Sequence, residues 1–214
     1  MAATTNKGRK FPPEPLTPDE AQALIDAIKG DGPLATRNRA LIALLWRSGL
    51  RVSEALALKP ADLDVNKGTV RVLQGKGKKD RVSAFDGRAQ GYLRAWLIVR
   101  AGLGLNGRQP LFCAIADGAK GAGARKPGTA LHPSYLRQLL PKLGEKAGID
   151  KRVHPHGLRH THAKELIERK AALNIISGQL GHASVATTNA YAQKLTGEDV
   201  IAGMRAVGFD LDGA

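Results

Sequence analysis

His156-Gly157-Leu158-Arg159-His160, then Leu180-Gly181-His182, then Asn189-Ala190-Tyr191, are the runs on which the reading of this chain turns. His156 and Arg159 stand three apart, so on one helical turn they share a face. A guanidinium stays protonated and offers a planar fork of donors that matches two phosphate oxygens. A histidine titrates near neutral pH and can move a proton. A tyrosine hydroxyl becomes a nucleophile once a neighbour takes its proton and nearby cations favour the phenolate. Far upstream, Gly49-Leu50-Arg51-Val52-Ser53-Glu54 adds a second arginine, placed just after a glycine-ended helix and at the start of the next. Backbone N–H groups at a helix start would reinforce an anion site there.

Each of these residues has a plainer reading when taken singly. Exposed arginines are common on basic proteins, a histidine beside a glycine often caps or packs, and a tyrosine ring is mostly apolar. A metal site is the competing idea, because His154, His156, His160 and His162 cluster. No cysteine lies nearby, the nearest acids are Asp150 and Glu165, and Arg159 would place a cation inside the site. That set does not match the usual ligand patterns, and neither a metal nor another cofactor is expected. Gly75-Lys76-Gly77 alone is not a nucleotide-binding loop.

The chain of 214 residues is long enough for one domain with a real core. Its formal net charge of +14 and pI near 10.2 call for an anionic partner, nucleic acid first. The N-terminus has no apolar core of the signal-peptide kind, and the strongest apolar run, residues 40–46, is too short to cross a bilayer. No membrane association is therefore expected. Cys113 is the single cysteine, which excludes an internal disulfide and fits a reducing cytoplasm.

Residues 1–16 are basic and Pro-rich and read as a flexible tail. Thr17-Pro18-Asp19-Glu20 has the form of a capping box opening a helix with Leu24, Ile25 and Ile28 on its apolar face. A second helix is expected over 36–47, capped by Gly49. Residues 69–73 and 81–85 read as strands around a Gly/Lys turn, with a possible third strand at 63–65. Further helices are expected at 92–99, 133–147, 158–169, 172–180 and 184–193, with a mobile loop over 117–128. Val200, Ile201, Met204 and Val207 form a short apolar stripe, suited either to a neighbouring protomer or to its own domain.

With Lys76, the set Arg51, His156, Arg159, His182 and Tyr191 resembles the catalytic residues of tyrosine recombinases, the phage-integrase and Xer-like family. The resemblance runs from about Pro15 to Gly197, and Tyr191 follows His182 at the family's spacing of nine. It implies a mixed α/β fold, mostly α-helical with a small antiparallel β-sheet. It also implies cleavage of double-stranded DNA through a 3′-phosphotyrosyl ester with a free 5′ hydroxyl, resealed without ATP. The arginines would clamp the phosphate, the histidines would handle protons, and Lys76 would protonate the leaving 5′ oxygen. Preferring Lys76 to Lys78 rests on the resemblance alone. His160 fits the family pattern. His162 departs from it, where an aromatic or apolar residue is common, and reads as structural or surface. Members usually carry a helical DNA-binding domain before the catalytic one. The expectation here is a tail over 1–16, a catalytic domain over 17–214 and no such preceding domain. Recombination also implies a homo-oligomer on DNA, up to a tetrameric synapse. Two other functions stay open: supercoil relaxation of the type IB topoisomerase kind, and non-catalytic DNA binding by a regulator on the same fold.

Overall fold

Thr17 and Glu20 cap each other reciprocally in the computed structural model, which describes residues 14–73, 80–115 and 126–181. The Thr17 hydroxyl accepts from the Glu20 N–H at 3.1 Å, and the Glu20 carboxylate accepts from the Thr17 N–H at 2.7 Å. This box starts helix α1 (Pro18–Asp26). Leu16, inside the stretch expected to be tail, is buried, and its N–H donates to the Thr161 hydroxyl at 2.9 Å. Residues 1–13 lie outside the described part.

Helix α2 (Pro33–Ser48) begins three residues before its expected start at 36, because Pro33 occupies the first turn, where a missing N–H costs nothing. Its segment Ala40–Trp46 is buried on every side. Such a helix must be wrapped, and α1, α3 (Val52–Ala57), α4 (Gly87–Gly102) and α6 (Pro155–Glu168) do so. Gly49 ends α2 in the left-handed region, at φ 63°. A Cβ there would meet His162 Cδ2 and a Leu180 methyl at 2.7 Å, so both conformation and space require glycine.

Strands β1 (Leu63–Asp64), β2 (Thr69–Val72) and β3 (Arg81–Ala84) form an antiparallel sheet in the order β1-β2-β3. Val70 pairs with Ser83 and Val72 with Arg81. Val70, Val72 and Ser83 are buried, while Arg71 and Val82 face outward. Helix α4 starts at Gly87, five residues before its expected start at 92: the Asp86 carboxylate accepts from the Ala89 N–H at 3.2 Å and turns a glycine-containing stretch into a first turn. Helices α5 (Ser134–Lys146) and α7 (Leu173–Leu180) complete the described fold. The expected helix at 184–193 and the apolar stripe at 200–207 fall outside the described residues, as does most of the loop expected over 117–128. Among the described residues no helix is long and apolar enough to cross a membrane.

Charge is buried between α2 and α6, and it is paired, although the Nε of Arg47 has no hydrogen-bond partner. Glu165 is 6% exposed. One of its oxygens accepts from Trp46 Nε1 at 2.5 Å and the other from Arg47 Nη1 at 2.6 Å. Arg47 also reaches Asp86 at 2.8 Å, which ties the start of α4 to the same cluster. Removing one member of a buried pair leaves its partner's desolvation uncompensated. Glu165→Leu should therefore destabilise the domain by about 3 kcal/mol, measured as a drop in the urea midpoint at unchanged slope.

Candidate active site

Three sequence-distant segments end at one place: the α2–α3 turn with Arg51, the first turns of α6 with His156 and Arg159, and the C-terminal end of α7. Arg159, 3% exposed, joins them. Its Nη1 donates to the Gly49 carbonyl at 2.6 Å and its Nη2 to the Leu180 carbonyl at 2.7 Å. Both carbonyls lie at helix C-termini, where the unpaired oxygens carry partial negative charge and favour a cation. One buried guanidinium thus fixes both the residue two before Arg51 and the residue two before His182.

Helix α6 begins one turn earlier than the sequence indicated, because the imidazole of His154 caps it, accepting from the Gly157 N–H at 3.2 Å. His156 consequently sits in the first helical turn. Its ring meets His160 edge-on, with centroids 4.3 Å apart. Partial burial of its ring, then the charges of Arg159 and Arg51, lower its pKa from the ordinary histidine value. The imidazole is therefore neutral at neutral pH and able to accept a proton.

Arg51 is the N-cap of α3 and its side chain is 45% exposed, so it stays accessible from solvent. Glu54 holds it. One Glu54 oxygen accepts from the Arg51 N–H at 2.8 Å and the other from Arg51 Nη1 at 2.9 Å. The same carboxylate accepts from Arg81 Nη1 at 3.0 Å and Nη2 at 2.9 Å. Burial alone would raise the Glu54 pKa, but the hydrogen bonds from Arg81 and Arg51 and the charge of Arg81 bring it down to about 2. Arg51 Nη2 also lies 3.5 Å from the Gly181 carbonyl. Glu54 and Arg81 were not singled out from sequence. The signal for Glu54 was its position three after Arg51, whereas Arg81, in a strand, carried none.

His162, read from sequence as structural or surface, is buried and structural. Its ring lies under Gly49, and its Nε2 is 3.2 Å from the Gln179 side-chain amide. Gln179 in turn pairs with both backbone groups of Ala84, accepting from its N–H at 2.9 Å and donating to its carbonyl at 2.7 Å. This stitches α7 to the outer edge of β3. Lys76, His182 and Tyr191 lie outside the described residues. Gly181 immediately precedes His182, and Lys76 falls in the chain between β2 and β3. The four histidines considered for a metal are spread over capping, ring pairing and core packing. Among the described residues no three histidine, cysteine or acidic groups converge to hold an ion.

With this geometry in place, comparison with known proteins defines the family. The chain matches the Phage integrase family over residues 14–198 and belongs to it. It is 37% identical over 179 residues to the tyrosine recombinase XerD of Ralstonia nicotianae, a match covering 84% of this chain and 55% of that protein. The chain thus spans about half the length of that relative. The fold superposes on the crystal structure of XerA recombinase with a TM-score of 0.73 and 29% identity, covering 94% of this chain and 68% of that one. It superposes on XerH site-specific recombinase bound to difH substrate, in a pre-cleavage complex, with a TM-score of 0.67 and 28% identity, over 86% and 51% of the two chains.

His162 gives the site a pH limit. Burial first, then the charges of Arg47, Arg159 and Arg169 against the opposing charge of Asp86, lower its pKa from 6.5 to about 4. The unfolded chain therefore takes up the proton first as pH falls, so the stability this neutral ring contributes is present above about 6.5 and is lost on the way down to about 4. His162→Phe, which cannot take up a proton, should lose roughly 2 kcal/mol less than wild type between about pH 7 and pH 4.5, read from denaturant melts at both values.

Proposed function

We propose that this chain is the catalytic part of a tyrosine recombinase, with residues 17–214 as the catalytic unit, acting on double-stranded DNA. The observation that carries the reading is the convergence of Arg51, His156 and Arg159, with both arginines close enough to shift the titration of the histidine. A phosphate seated there would meet fixed cations beside a neutral base, an arrangement matched to the added charge of a pentacoordinate transition state.

In the proposed reaction the Tyr191 phenol oxygen attacks a DNA phosphorus and the bond to the 5′ oxygen breaks. A 3′-phosphotyrosyl ester forms. Arg51 and Arg159 hold the phosphate, a neighbouring histidine, His156 or His182, accepts the phenol proton, and Lys76 protonates the leaving 5′ oxygen. A 5′ hydroxyl of a second strand then attacks the ester and releases Tyr191, so the number of phosphodiester bonds is conserved and no nucleotide is consumed. Several family names and the DNA-bound relative support this over supercoil relaxation or passive binding, neither of which any observation favours. Exchange between two sites requires protomers to meet on DNA, and a homo-oligomer assembled on two sites in the cytoplasm follows from the same reading.

The test is covalent capture. A pool of nicked duplexes with randomised centres is incubated with the full chain, and protein–DNA adducts that survive detergent are isolated. The wild type should yield an adduct. Tyr191→Phe should yield none while retaining DNA binding, since only the nucleophilic oxygen is lost. Arg51→Ala should slow adduct formation by at least about a hundredfold, the scale of one charged contact to a transition state. An adduct from Tyr191→Phe would remove Tyr191 as the nucleophile.

A further inference from the structure

The geometry points to Arg81 as a positioning residue for the anion site: we infer that it neutralises Glu54, so that Glu54 can orient Arg51 without cancelling its charge. This rests on the recombinase reading and deepens it.

The problem it solves is electrostatic. Glu54 accepts from both the backbone and the side chain of Arg51, at 2.8 and 2.9 Å. A carboxylate this close fixes the guanidinium, but it also subtracts a unit of negative charge where a phosphate must bind. An isolated Arg51–Glu54 pair would be neutral overall and would repel part of the approaching anion. Arg81 changes that balance. It donates two parallel hydrogen bonds to the same carboxylate, at 3.0 and 2.9 Å, the strong fork-to-carboxylate geometry. Two guanidiniums and one carboxylate leave a net positive charge, and the two cations are differently placed. The Arg81 side chain is 11% exposed, whereas that of Arg51 is 45% exposed. The buried cation offsets the carboxylate and the accessible one keeps its charge for the ligand. The depressed Glu54 pKa agrees, since the carboxylate stays ionised throughout the working range.

Arg81 is also placed to hold neighbouring parts of the site in register. It opens β3, the strand that follows the segment bearing Lys76. Its guanidinium lies against Gly181, where an added Cβ would come within 2.5 Å of Nε and 2.6 Å of Cζ. Gly181 is itself in the left-handed region, at φ 65°, so any side chain there would strain the turn and displace Arg81 together. The guanidinium is therefore held between Glu54 and the turn that leads to His182.

The experiment separates a charge effect from a scaffold effect, using the full chain and a nicked duplex recovered by wild-type covalent capture. Adduct formation rate, DNA affinity and thermal midpoint are measured for Arg81→Gln, Arg81→Lys and the double variant Glu54→Gln/Arg81→Gln. Loss of the balancing cation should slow Arg81→Gln by about ten- to a hundredfold with DNA affinity within a few-fold of wild type, since only the local anion site is altered. Arg81→Lys keeps the charge and should stay within about fivefold of wild type. The double variant should react faster than Arg81→Gln alone, because removing the unbalanced carboxylate relieves its repulsion of the phosphate. A purely structural Arg81 gives the opposite order, with the double variant no better than the single one and Arg81→Lys as slow as Arg81→Gln. That order, or a wild-type rate in Arg81→Gln, overturns the inference. If Arg81→Gln does not fold, the Arg81→Lys rate decides by the same criterion. A wild type that never forms an adduct overturns the recombinase reading and this inference with it, whereas failure of the Arg81 variants alone leaves that reading standing.

Discussion

The guanidinium of Arg159 between the Gly49 and Leu180 carbonyls is the constraint on which the site depends. A buried cation must find oxygen, and the ends of two helices provide it from backbone that no substitution can remove. In meeting that need, Arg159 sets where α2 stops relative to where α7 stops. The residues that follow those stops are Leu50-Arg51 and Gly181-His182. The guanidinium that bonds both stops is thereby the group that locates the residues after them. This coupling limits what a mutation at Arg159 can report, because charge and placement are lost together. Arg51, accessible and outside that framework, is the cleaner probe of charge.

The polar groups of the interior form a graded series around this point. Glu165, enclosed between Trp46 and Arg47, holds α2 to α6 and carries no visible link to chemistry. His162 and Gln179 sit one layer nearer the site, where a neutral ring and an amide hold the glycine turn and the edge of β3. Glu54 and Arg81 are nearer still and adjust the charge around Arg51. Most polar groups of these layers are paired, because buried polar atoms without partners are costly, although the Nε atoms of Arg47 and Arg81 have no hydrogen-bond partner. The accessible groups Arg51 and His156 are supported by these layers without being enclosed by them.

What could be read from sequence was local. The Thr17–Glu20 box, the glycine stop at Gly49 and the hairpin partners 69–73 and 81–85 each rest on residues a few positions apart, and the structure reproduces them within one or two residues. The misplaced boundaries have local causes of the opposite sign. Gly87 and Gly91 disguised the start of α4, which the Asp86 cap overrides, and Pro155 and Gly157 disguised that of α6, which His154 caps. The grouping of Arg51 with His156 and Arg159 came from the family's ordered set of residues, since the separation between them has no periodicity to reveal it. Arg81 escaped notice because its significance exists only across space: nothing in Arg81-Val82-Ser83-Ala84 distinguishes a charge-balancing arginine from an exposed strand residue. His162 was visible as an oddity, and only the fold shows that Gln179 is its counterpart.

The bond from Arg159 to Gly49 spans 110 residues, and its companion to Leu180 needs 21 more. Closing a loop of that length carries an entropic cost that only the finished core offsets. A chain emerging from the ribosome exposes Arg51 and its basic surroundings well before Arg159 exists, and α7 arrives last of all the described helices. During synthesis the basic stretch around Arg51 therefore precedes the bonds that Arg159 makes to both helix ends. Prematurely terminated copies share that condition: any product ending before Leu180 carries basic surface without the carbonyl that seats Arg159. Assembly of the arginine framework is in this way tied to chain order: the last described helix supplies the oxygen that seats a guanidinium made before it.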